Sequence, residues 1–255
     1  MIGILISVAC MLVLSVIMMT SLNKAMSGAG NALSGTASSF QDKQYLSILQ
    51  QGLVTWSMDN DGQFIVPSTL DRSRDLTHDT TANLYSAMIA EHYTVPGQLV
   101  SGNEYNPNVW MDEDYDYMAY RPIEGTFWDP GFVADLDYDS NTSFAHVPLF
   151  ARRRDNHWRF SASSTVPVLG NRGPRDGIDN PNSLTYGRDG GWGGHLVFGD
   201  GHVEFIKSFT LAGRGLTADG TPDNVFAMEE GPNGRDAILS FTKLMTDDGP
   251  TLQYD

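Results

Sequence analysis

The sequence predicts an α+β fold in which a long N-terminal α-helix leads into a globular head built on an antiparallel β-sheet with long loops. Three observations carry this expectation. Residues 1–22 contain no charge, residues 40–57 carry one apolar stripe at helical spacing, and residues 190–206 read as two β-rich runs joined at Asp-Gly. The expected division is residues 1–57 for the helix and 58–255 for the head.

The first charged side chain is Lys24, and within residues 1–22 only Ser, Thr and Gly dilute the apolar residues. At 1.5 Å rise per residue, a helix of that length spans roughly 30 Å, enough for a bilayer core. Gly3 and Ser7 stand four apart, the small-xxx-small spacing that lets apolar helices approach closely. Met1, Ile2, Gly3, Leu5, Ser7, Val8, Met11, Leu12, Ser15 and Met19 are therefore the candidate contacts with neighbouring copies of the helix. A secretory signal begins with basic residues and ends at a small-residue cleavage site. Here no Lys or Arg precedes the apolar run, so the expectation is a leader already removed. The segment serves either as a single-span anchor or as the core of an assembly.

Residues 27–39, with three glycines among Ser, Thr and Asn, make a poor helix and are expected as a linker or a melted stretch. Leu46, Leu49, Leu53 and Trp56 then recur at spacings of three, four and three, the pattern of a helix packing onto the head. The Asp59-Asn60-Asp61-Gly62 cluster ends it as a turn. A second helix is expected from Thr81 to His92, stopped by Val95-Pro96-Gly97, and His78 and His92 read as packing or surface residues. From Ser101 to Asp139 aromatics alternate with acids, most clearly from Tyr105 to Tyr120, which predicts a half-buried strand with an acidic edge.

Asp135, Asp137 and Asp139 occupy alternate positions and are candidates to converge on a hard cation such as Ca2+. The loop is not a complete EF-hand, because Ser140 stands where glycine is required and His146 where a bidentate acid belongs. Asn141-Thr142-Ser143 fits a glycosylation acceptor. Arg152, Arg153 and Arg154, with Arg159 close behind, break the acidic trend and read as an exposed basic turn or a contact with an acidic face of another copy. Residues 164–169 predict a short strand and residues 170–186 a long loop.

The net charge of −15 disfavours nucleic acid as a partner. Cys10 is the only cysteine, so no disulfide can form within the chain. Catalysis is not expected. His195, His202 and Asp200 lie on two arms of one hairpin, with Ser161, Ser163 and Ser164 upstream, and such a layout rarely gives a nucleophile, base and orienter in line. No Gly-x-Ser-x-Gly elbow, phosphate loop or His-Glu-x-x-His is present.

The charge-free N-terminus resembles the mature start of type IV pilins and of the pseudopilins of type II secretion. Residues 193–206, with His195, Phe198, Asp200, Gly201, His202 and Val203, are similar to the C-terminal hairpin of a bacterial family of pilin-like proteins in which nine residues separate a histidine from Asp-Gly. Gly190 stands at that histidine's position, His195 at the usual asparagine, and Leu5 where most type IV pilins carry glutamate. The resemblance implies a pilin-like fold and a structural role as a homopolymer subunit at the bacterial cell surface. It also implies residence in the inner membrane before assembly, with a prepilin peptidase and the assembly machinery as partners. The alternatives are a pseudopilin that pushes substrates through a secretion channel and a membrane-anchored monomeric binding domain.

Overall fold

The computed structural model describes residues 32–178, 191–211, 217 and 219–255. Helix α1 covers Ala32–Met58. Its buried stripe is the one that the spacing predicts: Leu46, Leu49 and Leu53 are fully buried, and Trp56 packs edge-on against Tyr93 with ring centroids 6.3 Å apart. Asp42 falls one turn before Leu46 on the same stripe and is fully buried with it. Its carboxylate accepts hydrogen bonds from Ser101 Oγ (2.7 Å), Gly102 N (3.3 Å) and Asn171 Nδ2 (3.0 Å). Close approach at Gly102 also supports the early part of the helix. A Cβ there would lie 2.7 Å from Gln41 Oε1 and 3.1 Å from Ser38 Cβ.

The expectation of a pilin-like fold with one long helix over residues 1–57 is corrected here. The described part of the long helix is Ala32–Met58, and its residues 37–58 pair a single apolar stripe with solvated Lys, Gln and Thr positions. That pattern suits one face on a sheet rather than lipid on all sides. Among the described residues no helix is long and apolar enough to cross a membrane. The candidate contacts Met1, Ile2, Gly3, Leu5, Ser7, Val8, Met11, Leu12, Ser15 and Met19 lie outside the described residues. Residues 32–39, expected as part of a linker or melted stretch, are helical.

A single turn, α2 (Pro67–Leu70), follows, and then α3 (Thr81–Ala90), which begins where Thr80 Oγ1 accepts the Asn83 N–H (3.3 Å). The later half of α3 is buried, and Tyr85 Oη donates to the Phe144 carbonyl (3.0 Å). From Tyr105 to Tyr120 the expected strand is absent. Turns and single 3-10 turns at Tyr117–Ala119 and Pro122–Glu124 take its place. Tyr115 helps to anchor this stretch, donating to the Ser86 carbonyl (2.7 Å), while Trp110, Met111, Tyr117 and Met118 stay exposed. Alternation failed as a strand signal because Asp112, Asp114 and Asp116 are committed to local turns. Asp112 and Asp116 each accept the N–H two residues on, and Asp114 donates its own to Asp112.

Strands β1 (Ala134–Asp135) and β2 (Asp139–Ser140) form a short ladder. The main sheet is antiparallel in the order β3-β4-β5-β6, from Phe144–His146, Pro167–Asn171, Gly194–Phe198 and Val203–Ile206. Helix α4 (Ala151–His157) lies between β3 and β4 in the chain. The pair β7 (Phe241–Thr246) and β8 (Gly249–Gln253) completes the fold, with α3 packed against β7. Helix α1 lies across β4, β5 and β6. The β5–β6 hairpin turns at Asp200-Gly201 with Gly201 at φ 87°, a conformation that favours glycine. Gly170 in β4 leaves room for its neighbour, since a Cβ there would come 2.6 Å from Leu196 Cδ2.

His146 sits inside this core with no exposure. Nδ1 faces the Val147 carbonyl (2.7 Å) and Nε2 faces Thr81 Oγ1 (2.8 Å), which itself accepts the Thr242 N–H. Those partners assign a neutral ring protonated at Nδ1. Burial pushes its pKa down to about 4 from 6.5. Between those values the unfolded chain binds a proton that the native protein refuses. Stability contributed by the neutral ring is therefore present above pH 6.5 and lost as pH falls towards 4, up to roughly 3 kcal/mol. Urea denaturation through that range should show the fall, and imidazole NMR shifts should report His146 neutral at about pH 5. Separately, Leu49→Ala is expected to cost about 2–5 kcal/mol in urea denaturation, while Gln51→Ala on the exposed face changes it by less than about 0.5 kcal/mol.

Candidate metal centre

Three carboxylates from a loop-rich part of the head converge. Asp223, Glu229 and Asp236 offer ligand oxygens that all lie within 4.8 Å of one another. Asp223 and Asp236 are each 1% exposed, and Glu229 reaches solvent. Backbone pairing puts them there. Leu211 N bonds the Asp223 carbonyl (3.2 Å), Val225 N the Phe209 carbonyl (3.0 Å), and Leu239 N returns to the Val225 carbonyl (2.7 Å). The loop between is drawn closed by the side chains themselves. Asp223 Oδ2 accepts the Ala237 N–H (2.6 Å), Asp236 Oδ2 the Glu229 N–H (2.9 Å), and Glu229 Oε2 the Asn224 N–H (3.2 Å).

One cation stands beneath. Arg153, on α4 and 1% exposed, pairs with Asp236 Oδ1 through Nη2 and donates Nε to the Asp236 carbonyl (3.1 Å). Its Nη1 donates to the Gly231 and Pro232 carbonyls (2.9 Å each). With all three acids ionised, one guanidinium leaves two negative charges uncompensated. The other oxygen of Asp223, Oδ1, is buried with no hydrogen-bond donor on it. Burial first, and then the neighbouring Asp236 and Glu229 carboxylates, push the Asp223 pKa up. An oxygen-only set with excess negative charge and an orphaned carboxylate oxygen can hold a metal ion of the hard divalent class.

The acids singled out by spacing have other occupants. Asp135 Oδ2 lies 2.7 Å from Lys243 Nζ, and Asp137 Oδ2 lies 3.9 Å from the same ammonium. Gln253 Nε2 donates to both, at 2.7 and 2.9 Å, so Asp135 and Asp137 share a lysine and an amide. Asp139 turns away and accepts from Trp110 Nε1. Against the cost of its burial, the bonds from Lys243 and Gln253 hold Asp135 below the ordinary carboxylate value.

The hairpin residues are placed as packing and turn groups. His195 is 5% exposed, its ring 5.0 Å from that of Phe205, and its N–H donates to Asn171 Oδ1 (2.8 Å). Burial, with Lys43 nearby, lowers its pKa to about 4. His202 stacks on Phe198 with centroids 4.5 Å apart, and its Nδ1 is 2.5 Å from Asp200 Oδ1. Val203 pairs with Val197 beside Gly201. Among the described residues, Asp223, Glu229 and Asp236 are the one grouping of three such ligands, and sequence reasoning missed it. Separations of six and seven residues match no ligand spacing. The legible clue was the Arg152-Arg153-Arg154 run, whose middle member faces inward. No family model, curated protein or solved structure matches this chain.

Asp223 also sets a pH dependence opposite in sign to that of His146. Its folded pKa lies above 3.8, so without a bound cation the native state keeps a proton that the unfolded chain has released. Its contribution is then lost as pH rises from 3.8 through the raised folded value. Asp223→Asn is expected to flatten this fall in thermal unfolding measured in a chelator from about pH 4 to pH 8.

Proposed function

We propose that this chain is a structural subunit of a filament at the cell envelope or cell surface. The observation that carries the reading joins sequence to fold. The charge-free residues 1–22 precede, in the chain, a helix that is the spine of the head, seated by Leu46, Leu49, Leu53 and the buried Asp42 carboxylate. A pull on the apolar segment would therefore be borne by the whole sheet. Apolar segments of neighbouring copies pack together, with Gly3 and Ser7 allowing close approach. Leaving lipid for such a bundle gains little hydrophobic energy, so specificity comes from packing and from contacts between heads. Contacts of the head-to-tail kind do not close and so extend indefinitely. The resemblance of residues 1–22 and 193–206 to pilin-like proteins supports the same reading.

The cation assigned to the acidic cluster is Ca2+. Three carboxylates on an irregular loop suit its flexible six-to-eight-oxygen shell better than the strict octahedron of Mg2+. The head is braced where Asp223, Glu229 and Asp236 close the loop over Arg153.

Electron microscopy of material sheared from cells, with the mass of its main protein, tests the structural role. Filaments made of this chain are expected, and Val8→Asp should abolish them while the thermal unfolding of the head is unchanged. Protein found only as a membrane-bound monomer would overturn the filament and leave an anchored binding domain. For the metal, Ca2+ at 100 times its Kd should stabilise the protein by about 2.7 kcal/mol near neutral pH, with a smaller gain from Mg2+ and none in Asp223→Asn.

A further inference from the structure

The head also carries a large cleft, about 1050 Å3, that has no part in the acidic cluster. Arg72, Arg74, Arg154 and Arg159 all line it. This is unexpected in a chain where 31 Asp and Glu outnumber 16 Lys and Arg. With carboxylates in such excess, guanidiniums gathered in a concavity would ordinarily be paired. Of the four, only Arg154 has a carboxylate within 4 Å among the described residues, its neighbour Asp155 at 3.1 Å. Arg72, Arg74 and Arg159 have none. Arg159 is half-buried, and its Nε is shut off from solvent with no acceptor in reach. A buried donor left without an acceptor is a local cost that folding alone does not repay.

The backbone that carries the arginines is held before anything binds. Arg74 N donates to the Ser68 carbonyl (2.9 Å), and Asp71 takes the Ser73 N–H (2.8 Å) on one oxygen and His78 Nδ1 (2.5 Å) on the other. Beneath, Asp79 is fully buried and accepts both the N–H and the hydroxyl of Ser68 (2.9 Å each). The result fixes Arg72 at φ 60° and Arg74 at φ 59°, left-handed conformations that long side chains seldom adopt. On the other wall, Arg159 is held by a backbone bridge to Gln63.

The rest of the lining selects among anions. Trp56, Tyr120 and Phe127 present partly exposed rings, and Asp59 and Asp61 stand in the same cleft as hydrogen-bond acceptors. A simple inorganic anion gains from the arginines but offers the aromatic rings no apolar face and the carboxylates no row of hydroxyl donors. A ligand bearing carboxylates and hydroxyl donors on rings with an apolar C–H face satisfies all three kinds of group. The guanidiniums fork onto its carboxylates, the aspartates accept its hydroxyls, and the aromatic rings stack on its sugar faces. We propose that this cleft binds a carboxylated oligosaccharide of the uronic-acid type.

The test is calorimetric titration of the detergent-solubilised full chain with tetragalacturonate in EDTA, beside neutral cellotetraose and tetraglutamate. Saturable one-to-one binding of the uronate, weakened by salt, is expected, with little from the other two. Arg74→Gln, on an exposed side chain, and Arg159→Gln should each cost about tenfold or more in affinity, and Arg159→Lys should not restore it because an ammonium lacks the fork. Lys207→Gln, on an exposed lysine outside the cleft, should leave affinity unchanged. Unaltered unfolding midpoints show that each variant is folded. Absence of saturable binding, affinity indifferent to both arginines, or equal binding of cellotetraose or tetraglutamate would each overturn the proposal. Binding is read on monomers, so the result is independent of whether filaments form.

Discussion

Burying the leucine stripe of α1 forces a carboxylate into the core with it. Asp42 shares a helical face with Leu46, Leu49 and Leu53, and the sheet cannot accept those leucines without accepting the acid. A buried charge is tolerated only when its oxygens are met by donors, and here the donors come from elements far apart in the chain. Ser101 and Gly102 supply two from the loop after α3, and Asn171 supplies the third from the end of β4. The next residue, Arg172, repeats the arrangement with opposite sign. It is 1% exposed, held by Glu104 through two nitrogens and by Asp255 through Nε (3.3 Å). Two adjacent residues at the end of one strand thus fasten the helix, the 101–104 loop and the last residue of the chain.

The same rule separates the charges that serve the fold from those that do not. Asp42, Asp79, Asp135, Arg153 and Arg172 are each met by hydrogen bonds or an opposite charge, and they fix where elements sit. Asp223 has one oxygen without a donor, and Arg159 has a buried donor without an acceptor. Removing either charge would relieve a local cost, so neither group is accounted for by folding energy alone. Each is a charged group with a polar atom left over, the feature on which the proposed cation and anion sites rest.

How much of this could be read from the sequence depended on how local the signal was. The stripe from Leu46 to Trp56 and the turn at Asp200-Gly201 were legible, because periodicity and turn chemistry act over a few residues. Tyr105 to Tyr120 misled, since acids that cap their own turns produce the same alternation as a strand. The apolar run of residues 1–22 suggested a long helix over residues 1–57 broken or melted at 27–39, whereas the described part, Ala32–Met58, runs through 32–39 as helix and owes its stripe to the sheet. Spacing drew attention to Asp135, Asp137 and Asp139, yet proximity in sequence does not show that a lysine on β7 will reach them. Asp223, Glu229 and Asp236 meet only because Leu239 folds back on Val225, a contact that no local pattern encodes.

Helix α4 connects these observations. Its backbone enters at Ala151 with φ 46°, a conformation that a residue bearing a Cβ holds only when its surroundings impose it. Two residues on, Arg153 is locked to Asp236 and to three backbone carbonyls. Arg154 follows at once and, about 100° around the helix, points to the arginine-lined cleft instead. Seven residues make too short a helix to be stable alone, so α4 depends on its tertiary contacts, those of the buried Arg153 among them. The geometry of one cleft wall is therefore inherited from the acidic cluster on the other side of the same helix. A change in the charge balance around Asp236 would be felt first by Arg153 and then by Arg154, without any contact between the two sites.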